Sequence, residues 1–397
     1  MKVCFETFGC RLNKAEALEM EAAYRARGWE VATQHADADL FVVRGCSVTA
    51  RAQRDCEKLI DHLRRRYPHT PLRVCGCLTS KASESPVVPA AARHDPDGAF
   101  HVPTRTARAY LKVQDGCSGR CTFCIVPKFR GSSVSVPFGE VLDRARRFVD
   151  AGYRELVVTG CNLALYASEG RRLPELVDAL AAVSPDCRIR LGSVEPGACA
   201  LETVRAMAAT ANVCRFLHVP VQSGSNRMLA AMKRPYLVRD VEALVATATK
   251  FLPNLGLGCD VMTGFPDESD FDFAETEGLL RRLPFNRAHV FPYSERPGTL
   301  AAGFGGAVPK AVRSARAHRL AEQMARRREQ FARRFLGQEV EIVVEDENKT
   351  VGWTGEYLKC KTVTPAPRKS RVRIFVTRVH SDATLEGRVL AHGPRAS

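Results

Sequence analysis

Short strand-like runs alternating with amphipathic helical stretches constrain this chain more than any other feature. Residues 2–8, 39–43 and 72–75 read as strands, and 13–27 and 48–66 read as helices between them. Such alternation builds a parallel sheet flanked by helices, and ligands gather at the carboxyl ends of its strands. Cys10, Cys46 and Cys77 each fall just beyond one of those ends, and each follows a glycine. Three thiols remote in sequence therefore converge. Three merely structural thiols would not all occupy equivalent topological points, so a metal-holding triad is the favoured reading. Cys56 falls inside a helix and Cys75 inside a strand, and both read as core or surface thiols.

The alternation resumes over 111–114, 155–159, 188–193, 215–219, 258–263 and 288–293, with helical segments at 139–151, 174–182, 238–251 and 270–283. Six such units predict a partial (β/α)6 barrel, open on one side, whose chemistry sits at the strand carboxyl ends. Just after the first strand comes Gln114-Asp-Gly-Cys117-Ser-Gly-Arg-Cys121-Thr-Phe-Cys124. Three thiolates at this spacing can ligate three irons of a cubane [4Fe–4S] cluster and leave the fourth open. A zinc site or three buried thiols are the alternatives, although structural zinc takes four ligands and no second cysteine pair lies nearby. Gly160, Ser193, Glu195 and Gln222 follow the next three strands.

At 397 residues the chain exceeds one ordinary core, so two or three domains are expected. Fifteen cysteines without a secretory signal favour metal or redox chemistry over disulfides, with Cys4, Cys187, Cys199 and Cys214 reading as small buried hydrophobes. No run approaches the roughly 18 apolar residues that span a bilayer. A cytoplasmic protein with no membrane partner is the expectation. The formal charge of +15 points to a polyanionic partner.

Between 78 and 105 the periodicity fails, which predicts an abbreviated first domain ending in a linker. A helix over 309–336 carries nine Lys or Arg between Lys310 and Arg334 against only Glu322 and Glu329, and reads as a basic arm. Alternating runs at 341–345, 351–363 and 371–379 predict a small antiparallel β-barrel. Trp353 and Tyr357 read either as base-stacking residues, beside Lys359, Lys361 and Arg368, or as core. The expected division is an N-terminal Rossmann-like α/β domain at 1–95, the barrel at 106–335 and the small barrel at 336–397.

Several motifs occur in a fixed order: Thr7-Phe-Gly-Cys10-Arg-Leu-Asn13, the triple-cysteine loop, Leu191-Gly-Ser-Val-Glu-Pro196 and His218-Val-Pro-Val-Gln-Ser-Gly-Ser225. Arg234-Pro-Tyr236, Asp260-Val-Met-Thr-Gly-Phe-Pro266 and Phe291-Pro-Tyr-Ser-Glu-Arg-Pro-Gly-Thr299 follow. Together they resemble the methylthiotransferase family of radical S-adenosylmethionine (SAM) enzymes over nearly the whole chain. Gly9-Cys-Arg-Leu-Asn13 is similar to the type acting on threonylcarbamoyladenosine beside the tRNA anticodon. The resemblance implies two [4Fe–4S] clusters, one on Cys117, Cys121 and Cys124 and one on Cys10, Cys46 and Cys77. It implies SAM held near Gly160, Ser193, Glu195 and Gln222, and a 5′-deoxyadenosyl radical that takes hydrogen from C2 of the adenine. It also implies tRNA as partner, a reducing electron donor of the flavodoxin or ferredoxin kind, and a TRAM-like RNA-binding character for 336–397.

Other substrates fit the same resemblance: isopentenyladenosine in tRNA or an aspartate of a ribosomal protein. A cluster-containing RNA-binding paralogue without transferase activity is a further alternative. The departures lie at Val134-Ser-Val-Pro137, where the family carries Arg-Ser-Arg-Pro, at Asp267-Glu-Ser269, where it carries Gly-Glu-Thr, and in the shortened stretch after Cys77.

Overall fold

A computed structural model describes residues 1–78, 99–346, 348 and 350–390. The expected linker at 78–105 lies largely outside them. Strands β1 (Lys2–Thr7), β2 (Glu30–Val31), β3 (Leu40–Gly45) and β4 (Leu72–Gly76) form a parallel sheet in the order β2-β1-β3-β4. Helices α1 (Arg11–Ala26) and α2 (Ala50–Arg66) make the crossovers. Two-residue β2 is too short for any alternation to announce it. Thr49 caps α2 by accepting a hydrogen bond from the Ala52 amide at 3.1 Å.

The central unit is a curved sheet of six parallel strands: Ala109–Lys112, Glu155–Thr159, Arg188–Leu191, Phe216–Gln222, Gly256–Thr263 and Arg287–Pro292. Single bridges at Ile189–Val213 and Ser193–His218 join its two halves. Helices Phe138–Asp150, Leu173–Val183, Ala198–Ala209, Val238–Phe251 and Asp270–Arg282 connect successive strands. One side-chain set of each strand, including Leu111, Val158, Ile189, Leu217, Cys259 and Val261, is buried in one large core. The opposite set faces inward, and there α1 enters: Ala15 and Leu18 pack on Tyr110 and Val157. The N-terminal unit therefore fills part of the barrel.

Helix Lys310–Arg333 serves two cores, burying Leu320 and Met324 against the barrel and Phe331 against the last unit. Its arginines do not form one basic face. Arg316 pairs with Glu268 at 2.6 Å and Arg319 grips Glu277 with two hydrogen bonds. Arg313 donates to the Val308 and Tyr293 carbonyls, and Arg327 to those of Leu280 and Arg281. Four of the nine cations thus clamp the helix onto the barrel.

Strands Glu339–Val344, Val351–Thr354, Lys359–Thr362, Leu385–Val389 and Arg371–Val379 close a five-stranded barrel. All its pairs are antiparallel except Lys359–Thr362 with Leu385–Val389. The run read as one strand over 351–363 is a hairpin, with Tyr357 at its turn in the left-handed region (φ 67°).

Candidate cluster and radical SAM site

The loop of Cys117, Cys121 and Cys124 lies between Gln114–Asp115 and the short helix Val126–Arg130. The Cys117 amide donates to Gly131 O at 3.0 Å, the Thr122 amide to Met232 O at 3.1 Å and Thr122 Oγ1 to Ala231 O at 2.9 Å. Gly116 makes the turn possible: its φ is 64°, and a Cβ there would lie 2.0 Å from Ser132 O. Burial pushes the Cys117 thiol up and that of Cys124 to about 11, so the charged ligand form depends on compensating charge. Arg234 supplies some of it, donating through Nη1 to Cys121 Sγ at 3.0 Å and pairing with Glu195 at 3.1 Å.

Glu195 also accepts from Asn162 Nδ2 at 3.0 Å, and the Asn162 amide donates to Gln114 Oε1 at 2.9 Å. Gly160 faces Gln114, whose Oε1 would stand 2.8 Å from a Cβ there. Ser193 bridges to His218. Gln222 ends its strand with φ 64°, and its buried Oε1 has no hydrogen-bond partner among the described residues. A strained, unsatisfied amide at a strand carboxyl end fits a polar ligand. Glu195, through Arg234, is thus tied to Cys121; Gly160 and Ser193 stand at the ends of the neighbouring strands.

The other three cysteines also converge. Cys77 N donates to Gly45 O at 3.0 Å, next to Cys46, and Asn13 Nδ2 ties Phe8 O to Gly45 O at 2.9 Å each. Gly9 (φ 96°) passes so close to Cys46 that a Cβ would lie 2.8 Å from its sulfur. Cys46 and Cys77 are buried, and Cys10 is exposed. Burial raises the Cys77 thiol, opposed chiefly by Arg130. Arg130 Nε donates to Cys77 Sγ at 2.9 Å.

Arg130 also joins a buried charge cluster. Its Nη1 contacts Glu16 Oε1 at 3.0 Å and Asp115 Oδ1 at 2.8 Å, and its Nη2 reaches Asn13 Oδ1 at 2.6 Å. Lys112 Nζ binds Glu16 at 2.6 Å and Asp115 at 2.8 Å, and Arg44 completes the shell of Glu16.

Among the described residues, the possible metal-binding groups whose ligand atoms lie within 4.8 Å of one another are Cys4, Glu6 and His35, and His218, Asp260 and His289. Neither cysteine triad is that tight. One tetrahedral ion with metal–sulfur bonds of about 2.3 Å would need its sulfurs roughly 4 Å apart. A spacing wider than that sets both triads apart from a single-ion site, and a four-iron cubane is the group that takes thiolates on separate irons.

Sequence reasoning missed Arg130, Arg234 and Asn162. Arg234 stood within the Arg234-Pro-Tyr236 motif and Arg130 six residues beyond Cys124, but nothing in their spacing indicated sulfur contacts. Trp353 and Tyr357 are turned inward. Their rings stack at 4.8 Å, Trp353 Nε1 donates to Glu345 at 2.5 Å, and Tyr357 lies 4.9 Å from Phe216 of the barrel.

Residues 111–280, which hold the cysteine loop and five of the six barrel strands in whole or part, match the Radical SAM superfamily. Residues 2–90 match the Uncharacterized protein family UPF0004. The chain is 32% identical over 358 residues to the threonylcarbamoyladenosine tRNA methylthiotransferase MtaB of Chlamydia pneumoniae, covering 85% of each chain. It is 30% identical over 386 residues to the tRNA-2-methylthio-N(6)-dimethylallyladenosine synthase of Chlorobium limicola, covering 88% of this chain and 87% of that one. The chain belongs to the tRNA methylthiotransferase family of radical SAM enzymes. That family implies SAM and [4Fe–4S] clusters. The fold is shared with the radical SAM methyltransferase TsrM of Kitasatospora setae, at TM-score 0.54, 14% identity and 76% coverage of both chains. No helix of the described residues is long and apolar enough to cross a membrane.

Proposed function

We propose that this chain attaches a methylthio group to C2 of N6-threonylcarbamoyladenosine beside the tRNA anticodon. In this reading Cys117, Cys121 and Cys124 ligate the cluster that engages SAM, and Cys10, Cys46 and Cys77 ligate the one that presents sulfur. The observation that carries it is the helix Val126–Arg130, which begins two residues after Cys124 and ends with Arg130 on the Cys77 sulfur. One rigid turn thus spaces a site for SAM from a site for sulfur. When bound, the clusters and SAM supply the radical and the sulfur, chemistry that no side-chain acid or base performs at an aromatic C–H.

The chain's own residues position these reactants. Gln222 offers its unpaired Oε1 to SAM, Glu195 receives its charged end under the hold of Arg234 and Asn162, and Gly160 and Ser193 leave room beside them. Packing of α1 against the barrel excludes water. The units at 1–95, 106–335 and 336–397 carry sulfur delivery, SAM cleavage and RNA contact, and a low-potential flavodoxin or ferredoxin in the cytoplasm supplies electrons.

The threonylcarbamoyl base is favoured by Arg11, which follows Cys10 and reaches Tyr357 inside the barrel at 2.9 Å. Dimethylallyladenosine is the second reading, favoured by the 30% identity to the Chlorobium enzyme. Nucleoside mass spectrometry of tRNA from a strain lacking its own methylthiotransferases, supplied with this chain, decides between them. The methylthio form of threonylcarbamoyladenosine is expected, and appearance of only the dimethylallyl form overturns the assignment.

A further inference from the structure

Four guanidinium groups surround the ring of Tyr357 within the barrel: Arg11 at 5.3 Å, Arg108 at 5.9 Å, and Arg190 and Arg287 at 4.8 Å each. Two of them are neutralised. Arg190 binds Glu155 at 2.7 Å, and Arg108 pairs with Glu345 at 2.8 Å and Glu155 at 3.4 Å. The other two are not. Arg11 donates to Tyr357 Oη and has no carboxylate partner among the described residues. Arg287 Nη1 is buried with no hydrogen-bond partner among the described residues. Burial, then the nearby Arg328, lowers the proton affinity of Arg287, so these cations press on one another without an anion.

Buried guanidinium groups without a counter-charge are costly, and a carboxylate matches their fork in a bidentate pair. The surrounding structure holds the arrangement in place. Tyr357 is kept in a left-handed backbone conformation, one that a non-glycine residue holds only where its surroundings fix it, with Phe216 and Trp353 against its ring.

The location selects the kind of anion. Arg287 projects from the same wall as His218, Asp260 and His289, which stand farther along these strands. His218 and His289 lie 3.1 and 3.3 Å from Asp260. The His289 side chain is 55% exposed, so solvent reaches this level of the barrel. A base inserted there would carry an N6 substituent deeper, whereas the RNA backbone would stay outside.

We infer that Arg287 and Arg11, braced by Tyr357, form the binding site for the carboxylate of the threonylcarbamoyl group. The inference rests on the substrate reading above and adds the residues that recognise it. Arg287 sits on the last barrel strand and Arg11 directly follows Cys10, so the carboxylate ties the base to both units.

The test measures binding of the reconstituted full chain to anticodon stem-loops carrying threonylcarbamoyladenosine, the same nucleoside with its carboxylate amidated, or plain adenosine. The wild type is expected to bind the acid on the order of ten- to a hundred-fold more tightly than the amide, as for a charge-assisted hydrogen-bond pair. Arg287→Met is expected to bind acid and amide alike, with Arg287→Lys retaining part of the preference. If wild type prefers the acid to plain adenosine but not to the amide, the carboxylate is not read and the inference fails. If Arg287→Met and Arg11→Met both keep the preference for the acid, the site lies elsewhere while the substrate reading stands. If wild type binds the acid no better than plain adenosine, the substrate reading fails as well. The wild-type comparison of acid with amide needs no variant, so a poorly folding substitution leaves the test intact.

Discussion

Arg130 donates through Nε to the sulfur of Cys77 at 2.9 Å while its other nitrogens hold Glu16, Asp115 and Asn13. Hydrogen bonds to cluster sulfurs stabilise the reduced state. Arg130→Met should therefore move the potential of a cluster on Cys77 to more negative values, read by redox titration with electron paramagnetic resonance. SAM cleavage to 5′-deoxyadenosine should persist, with methylthio product reduced. An unchanged potential would limit Arg130 to packing.

Glu16 is buried beside Arg44, Lys112 and Arg130. Glu16→Gln removes the main counter-charge of three buried cations and should destabilise the protein by about 3–5 kcal/mol in denaturant titrations. Although burial pushes the Glu16 carboxyl up, the three cations hold it well below the usual range of about 4.3 in the unfolded chain. A depressed folded value means stability that is fully present above the unfolded value and lost as pH falls toward the folded one. The melting temperature should thus show no Glu16-linked loss between pH 7 and 5 and fall below about pH 4, with a shallower fall in Glu16→Gln.

The two cysteine triads should separate in function. Cys46→Ala is expected to lower bound iron from about eight to about four atoms per chain and to keep SAM cleavage without product. Cys124→Ala is expected to abolish SAM cleavage to background. Iron analysis and chromatography of 5′-deoxyadenosine check both.

Glycines separate the sites without removing a ligand. Gly116→Ala would place a methyl 2.0 Å from Ser132 O at φ 64°, and Gly9→Ala would crowd the Cys46 sulfur at φ 96°. Each carries strain of about 1–3 kcal/mol before the clash. The first should impair assembly of the SAM-side cluster and the second that of the sulfur-side cluster, visible in the spectra of each variant.

On helix Lys310–Arg333, Arg316→Ala leaves Glu268 buried without its ion pair and should cost about 3 kcal/mol. The slope of log affinity against log salt for tRNA should stay unchanged, because Arg316 points at the barrel. A reduced slope would place Arg316 on RNA.

Much of the framework was legible because periodicity and chemistry agreed. The strands before Cys10, Cys46 and Cys77 and before the Cys117 loop were each indicated by short apolar runs, and strand ends converge by topology. Glu30–Val31 and Leu385–Val389 escaped, the first too short to alternate and the second lacking a strong apolar period. The basic helix was legible only in part, for a physical reason: its charge pattern shows cations but not the carboxylates, such as Glu268 and Glu277, that arrive from another element. Arg130 and Arg234 were hidden likewise, since a sulfur contact across 53 or 113 residues leaves no local mark. Tyr357 turns inward through a left-handed backbone, which its residue type does not announce.

The entry of α1 into the barrel also bears on how such a protein can be rearranged. Glu16 leaves its own unit to meet Lys112 and Arg130, and Arg11 leaves it to meet Tyr357. Grafted onto a foreign barrel, the N-terminal unit would present an orphaned carboxylate and a cation with no phenol to cap. Exchange between relatives therefore has to carry both sides of the seam together, which makes the seam itself the unit of inheritance.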